Sequence, residues 1–213
     1  MTHPVGLVLA AATRGEFPEP DGTVEVVPPW RLGVEGVVAL TGRAYVATEL
    51  AADRVHDRGI NGFGSALDPG FVAWLAGPDG WLDCLDVLVG ALGTGSGGPP
   101  RRDDLSGHRR ARHARQVRDD VVVHADERGI VTVAVGIGGL AEIGVEVAVP
   151  MRNKGIGRSL VFDALGLFSA GEPVLAAVAP GNAASLRAFL AAGFSPLGAV
   201  HLVVPAASAR DHS

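Results

Sequence analysis

The chain has 213 residues, 47% hydrophobic and 19% charged, with a formal net charge of −5; that is enough apolar material for one ordinary domain or two small ones, and the acidic balance argues against a nucleic-acid partner. A single cysteine, Cys84, excludes an intrachain disulfide framework and fits a reducing, cytoplasmic compartment. No run reaches the roughly 20 apolar residues that span a bilayer, and the histidines, His108 and His113 included, lack metal-ligand spacing, so neither a membrane nor a metal is expected.

In chain order, the apolar stretch after Pro4 has no basic segment before it and reads as a strand rather than a signal peptide. Residues 34–48 are rich in β-branched and apolar types and predict one or two strands with a turn near Thr41-Gly42. A short polar helix is expected over 49–58. Asp68 then Pro69 reads as an N-cap and first helical position. Residues 82–92 have apolar residues at helical spacing and predict another helix, with Cys84 as a buried structural thiol. Trp74 and Trp81 read as core. No chemical motif stands in this half.

Gly, Ser and Pro without apolar period over 93–103 mark a flexible connector. It divides an N-terminal α/β segment, 1–92, from residues 104–213. Beyond it the rhythm is clearer. Residues 104–117 form an Arg-rich polar helix, and the basic stretch from Arg101 to Arg118, interleaved with Asp103, Asp104, Asp119 and Asp120, reads as a solvated face. A hairpin follows over 120–135 with its turn at Glu127-Arg-Gly129. Residues 142–149 alternate strictly: Ile143, Val145, Val147 and Val149 share one face, Glu142, Gly144, Glu146 and Ala148 the other. A helix over 155–169, a strand over 173–178, a helix over 182–192 stopped by Gly193, and a last strand over 194–204 complete a β-β-β-α-β-α-β order.

The chemistry lies where the alternating strand ends. Arg152-Asn-Lys-Gly155-Ile-Gly157-Arg158 joins that strand directly to an amphipathic helix. The first turn of a helix carries N–H groups without intrahelical partners and partial positive charge. Gly155 and Gly157 let the backbone approach a pyrophosphate, and Arg152, Lys154 and Arg158 add positive charge. A dinucleotide fingerprint would need a third glycine where Leu160 stands, and a Walker-type loop a lysine after Gly157. A tight turn without a ligand is the plain alternative.

A second segment, Asn182-x-x-Ser185 followed by Gly193-Phe194, lies beyond the next strand. Together the two motifs resemble the GNAT acyltransferase superfamily over roughly 101–204, in particular a bacterial, largely actinobacterial type with an extra N-terminal segment. The resemblance implies an α/β (α+β) fold: a mixed, mostly antiparallel twisted sheet flanked by helices, with residues 1–92 as an N-terminal α/β extension, either a degenerate partner domain or a substrate lid. It implies acetyl-CoA as co-substrate. Backbone N–H groups of Asn153, Lys154, Gly155, Ile156, Gly157 and Arg158 would hold the pyrophosphate beside Arg152. Main-chain groups of Val147 and Val149 would pair with the pantetheine arm. Asn182, with Ser185, would meet the arm near the exit of the next strand, and Asn182 is equally a good N-cap.

The implied reaction is direct attack of an amine on the thioester, the acceptor being a small molecule or a peptide. Glu146, then Glu142, are the candidate general bases, because both lie on the face opposite the aliphatic row of the strand that enters the loop; a solvent-facing carboxylate or an ion pair with an arginine is the alternative. The family often has a tyrosine acid seven residues after the asparagine, where this chain has Phe189. That departure leaves a non-catalytic acyl-CoA-binding module as the competing reading. A homodimer is compatible with the sequence.

Overall fold

The computed structural model describes residues 3–152 and 154–206. Among the described residues, six α-helices and nine strands follow in the order α1 (Pro4–Ala12), β1 (Val24–Val27), β2 (Glu35–Leu40), β3 (Arg43–Ala47), α2 (Ala52–His56), α3 (Pro69–Ala76), β4 (Trp81–Leu92), α4 (Arg109–Val117), β5 (Asp119–Asp126), β6 (Gly129–Val135), β7 (Ala141–Val147), α5 (Ile156–Leu165), β8 (Pro173–Val178), α6 (Ala183–Ala191) and β9 (Ser195–Val204). All strands join one sheet in the order β1-β3-β2-β9-β4-β8-β7-β6-β5. The β1–β3 and β7–β8 pairs are parallel and the other neighbours antiparallel. The expected mixed, mostly antiparallel sheet flanked by helices is therefore present. No helix among the described residues is long and apolar enough to cross a membrane.

Two elements differ from the sequence reading. The N-terminal apolar stretch is helix α1 rather than a strand. His3 caps it by accepting from the Val5 N–H, Pro4 opens it, and Val5, Leu9 and Ala12 form its buried stripe. Residues 82–92 belong to strand β4 rather than a helix. β4 runs between β8 and β9 at the centre of the sheet, and both of its faces are covered over residues 88–91. A strand covered on both faces reads as a continuous apolar run, and periodicity cannot separate that from a buried helix segment. Along its outer half Trp81 is 40% exposed, so it is not core, while Trp74 packs half-buried beside Phe71. Cys84 is exposed, and its thiol donates to Asp86 at 3.0 Å. Partial burial of the sulfur, with Asp86 beside it, pushes its pKa up to about 12, so the thiol stays protonated.

Helices α1 and α4 cover one face of the sheet around Leu9, Val38, Leu88, Val117, Leu175 and Leu202. Helices α5 and α6 cover the other around Ile143, Leu160, Val174, Phe189 and Phe194. Helices α2 and α3 extend that second face over β2 and β3. The boundary at 93–103 does not divide the sheet, since β4 from the first part pairs with β8 and β9 from the second. The segment is also fastened: Thr94, Gly95 and Gly97 donate their N–H groups to the carbonyls of Leu165, Phe168 and Gly166. A Cβ at Gly166 would lie 1.8 Å from the Gly97 carbonyl oxygen. We expect Gly166→Ala to force these backbones apart and to cost about 1–3 kcal/mol, read as a lower urea midpoint. An unchanged midpoint would mean that the segment is a free connector after all.

Candidate functional site

The parallel pair β7–β8 is short. Only Ala141↔Val174 and Glu142↔Leu175 pair, and from Ile143 onward the strands part. Beyond that point β7 is paired on one side only, by β6. The chain leaves β7 through a 3-10 turn, Val149–Met151, and enters α5 at Gly155. Gly155 has φ 74°, in the left-handed region that glycine adopts without cost, and no atom lies within 4 Å of where its Cβ would be. No side chain caps the first turn of α5 and no acidic residue stands in it, so its N–H groups face outward under partial positive charge.

A cleft of about 870 Å³ opens at this point, walled by β7, the α5 turn and α6. Seven of the residues expected to bind cofactor line it: Val147, Arg152, Gly155, Gly157, Arg158, Asn182 and Ser185. Glu146 lines it as well. Val149, Lys154 and Ile156 do not. Val149 lies past the end of β7, its side chain is 71% exposed and its carbonyl accepts from the Arg152 N–H, so it does not continue the strand edge. The Lys154 ammonium turns back to the Pro150 carbonyl at 2.9 Å. Asn153 lies outside the described residues. Asn182 Oδ1 accepts from the Ser185 N–H at 3.1 Å, so the capping role is realised within the cleft wall.

The two candidate bases have different surroundings. Glu146 is a cleft residue, held by Arg109 at 2.6 Å, with Arg152 at 4.0 Å. Partial burial raises its pKa, but Arg109, with Arg110 and His108 behind it, overrides this and holds the carboxyl below its ordinary 4.5. Glu142 is absent from the cleft. Its side chain is fully buried and closed by an ion pair with Arg118, and its second oxygen accepts from the Ile137 N–H at 3.4 Å. Burial alone would drive the Arg118 guanidinium down, but Glu142, with Asp83 and Asp86, raises its pKa. Glu142 is a structural carboxylate, and it is withdrawn as a base.

Sequence reasoning missed Arg109, Arg110 and Arg187. The first two open α4, whose arginines read as a solvated face; Ala111, Ala114 and Val117 instead anchor the helix on the sheet and bring its N-terminal arginines over β7. Arg187 lies two residues after Ser185 on α6 and lines the cleft. Phe189 also lines the cleft, buried and edge-on against Phe194 at 5.0 Å between ring centres. It has no proton to give. Among the described residues no group of three or more His, Cys, Asp or Glu side chains is placed to hold a metal ion.

No family model matches the chain, and no curated protein matches its sequence. Among solved structures it is similar to an acetyltransferase of the GNAT family from Colwellia psychrerythraea, at 9% identity over 75% of each chain with a TM-score of 0.41. It is also similar to a protein assigned to the GNAT acetyltransferase family from Novosphingobium aromaticivorans, at 16% identity over 61% of this chain and 69% of that one, with a TM-score of 0.30. At these values the reading of function rests on the cleft itself.

Proposed function

We propose that this protein transfers an acetyl group from acetyl-CoA to an amine acceptor. The observation that carries the reading is the joining of parted strands to an open, glycine-started helix at the mouth of one basic cleft. The residues present fit the co-substrate. Gly155 leaves room for a pyrophosphate at the first turn of α5, and Arg152, Arg158 and Arg187 line the same cleft with positive charge. The edge of β7 over 143–147 that β8 leaves unpaired supplies main-chain groups for an extended amide-bearing arm.

Acetyl-CoA would supply an activated thioester carbonyl next to that edge. An amine nitrogen attacks the carbonyl carbon; the C–N bond forms, the C–S bond breaks and the electron pair leaves on sulfur. The proton lost by nitrogen passes toward Glu146, the carboxylate in the cleft. With its pKa held low, Glu146 is a weak base, so it acts by drawing the ammonium in and relaying its proton through water. Phe189 leaves the thiolate to be protonated from solvent.

Because the Glu146 carboxyl titrates below its ordinary value, it is ionised throughout the neutral range. Glu146→Gln is therefore expected to lower kcat/KM by roughly 10–100-fold by about the same factor at every pH between about 6 and 9. Acetyl-CoA affinity should not change. The check is a thiol-release assay across that range; equal turnover in both proteins would dismiss Glu146. Phe189 favours a second reading, a non-catalytic acyl-CoA-binding module. Binding of acetyl-CoA with no acetylation across an amine panel would establish it.

A further inference from the structure

A side pocket of about 340 Å³ opens off the cleft and is lined by Arg109, Arg110, His113 and Glu146. Three of these residues also line the main cleft, so the two spaces meet at Glu146. Arg109 is committed to the Glu146 carboxylate at 2.6 Å. Arg110 is not: its Nε is buried without a hydrogen-bond partner. Its guanidinium lies on β7 over Gly144, where a Cβ would come within 3.4 Å of both Nε and Nη2. Any larger residue at 144 would crowd it out.

A buried Nε–H without a hydrogen-bond partner is costly unless a ligand supplies an acceptor. Glu146 is the carboxylate nearest in charge, and it already serves Arg109. Burial accordingly pushes the Arg110 pKa down, with Glu146 opposing only in part. The spacing is informative. Gly144 and Glu146 point to the same face of β7, and same-face neighbours on a strand lie about 6.8 Å apart. Arg110 lies over the first and the Glu146 carboxylate projects from the second. A ligand bridging them carries an anion at one end and a cation at the other, only a few bonds apart.

Resting on the acetyltransferase reading, we propose that the acceptor is a small amino acid, its carboxylate held by Arg110 and its amine delivered at Glu146. The planar guanidinium can grip a carboxylate with two parallel hydrogen bonds, which also fixes the amine's direction. Arg110 is then the specificity-determining residue of the acceptor side. The phosphates of the co-substrate belong to the α5 turn.

The test is calorimetric titration of the twenty free L-amino acids and their α-carboxamides into CoA-loaded protein, with Arg110→Gln and Arg110→Lys in parallel. At least one free amino acid should bind roughly tenfold or more tightly than its amide. Arg110→Gln should remove that preference, Arg110→Lys should restore part of it, and CoA affinity should be equal in all three proteins. The proposal is overturned if amides bind as well as acids, or if no amino acid binds. It is also overturned if Arg110→Gln loses CoA affinity instead, which would assign the guanidinium to a phosphate. Should the wild-type protein not bind CoA, the acetyltransferase reading fails separately, and the same titrations on the free protein still decide the role of Arg110.

Discussion

Replacing Arg118 by methionine is expected to cost the fold about 3–5 kcal/mol. The Glu142 carboxylate beneath it is fully buried, and among the described residues Arg118 is the one cation paired with it. Removing the guanidinium leaves a charge in a low-dielectric interior, where desolvation is no longer offset. Asp86, half-buried on the same face, adds to the deficit: burial already raises its pKa, and Arg118 is the cation that opposes this. The loss should appear in the urea midpoint. It should also shrink as pH falls, because burial already raises the Asp86 pKa and protonating that carboxyl removes uncompensated charge. A double substitution, Arg118→Met with Glu142→Leu, should recover most of the stability, since apolar side chains of similar size often replace a buried pair without loss. A single variant as stable as wild type would show that water reaches the pair.

Gly157→Glu is expected to weaken acetyl-CoA binding by about 100-fold or more. Position 157 lies in the first turn of α5 and lines the cleft, so the new carboxylate stands where phosphate is expected. Like charges in contact cost several kcal/mol. The fold should tolerate the change. A Cβ at 157 touches only Ala188 and Val147, each at 3.4 Å, and glutamate is a good helix former near a helix N-terminus. A far smaller loss is expected for Gly157→Ala, which adds the contact without the charge. If both variants bind as wild type does, the α5 turn is not the phosphate site.

What could be read from the sequence was what lies close together in the chain. The alternation over 142–149 placed β7 and its two faces, and the Arg-x-x-Gly-x-Gly spacing placed the α5 turn. Asp68-Pro69 gave the start of α3, where Asp68 accepts from the Gly70 N–H as expected. The misreading of β4 has a physical cause, which is burial decided by distant segments. β4 read as a helix because its neighbours β8 and β9 come from the far end of the chain and cover its edges. Residues 93–103 read as a flexible connector, and the carbonyls that accept from their N–H groups, Leu165 to Phe168, lie about seventy residues away. The same limit applies at the site. Glu142 and Glu146 share a strand face and were equivalent in sequence. Arg118 closes the first, and Arg109 meets the second at the cleft wall. Arg110 could have been suspected from the Ala111, Ala114, Val117 stripe, which fixes how α4 lies on the sheet, but its empty partner position exists only in three dimensions.

The most direct test of the central claim is a calorimetric titration of the wild-type protein with acetyl-CoA. One-site binding in the micromolar range is predicted, weakening as salt is raised because charged contacts at Arg152, Arg158 and Arg187 contribute. Absence of binding at millimolar acetyl-CoA would contradict the account and leave the cleft without its proposed co-substrate.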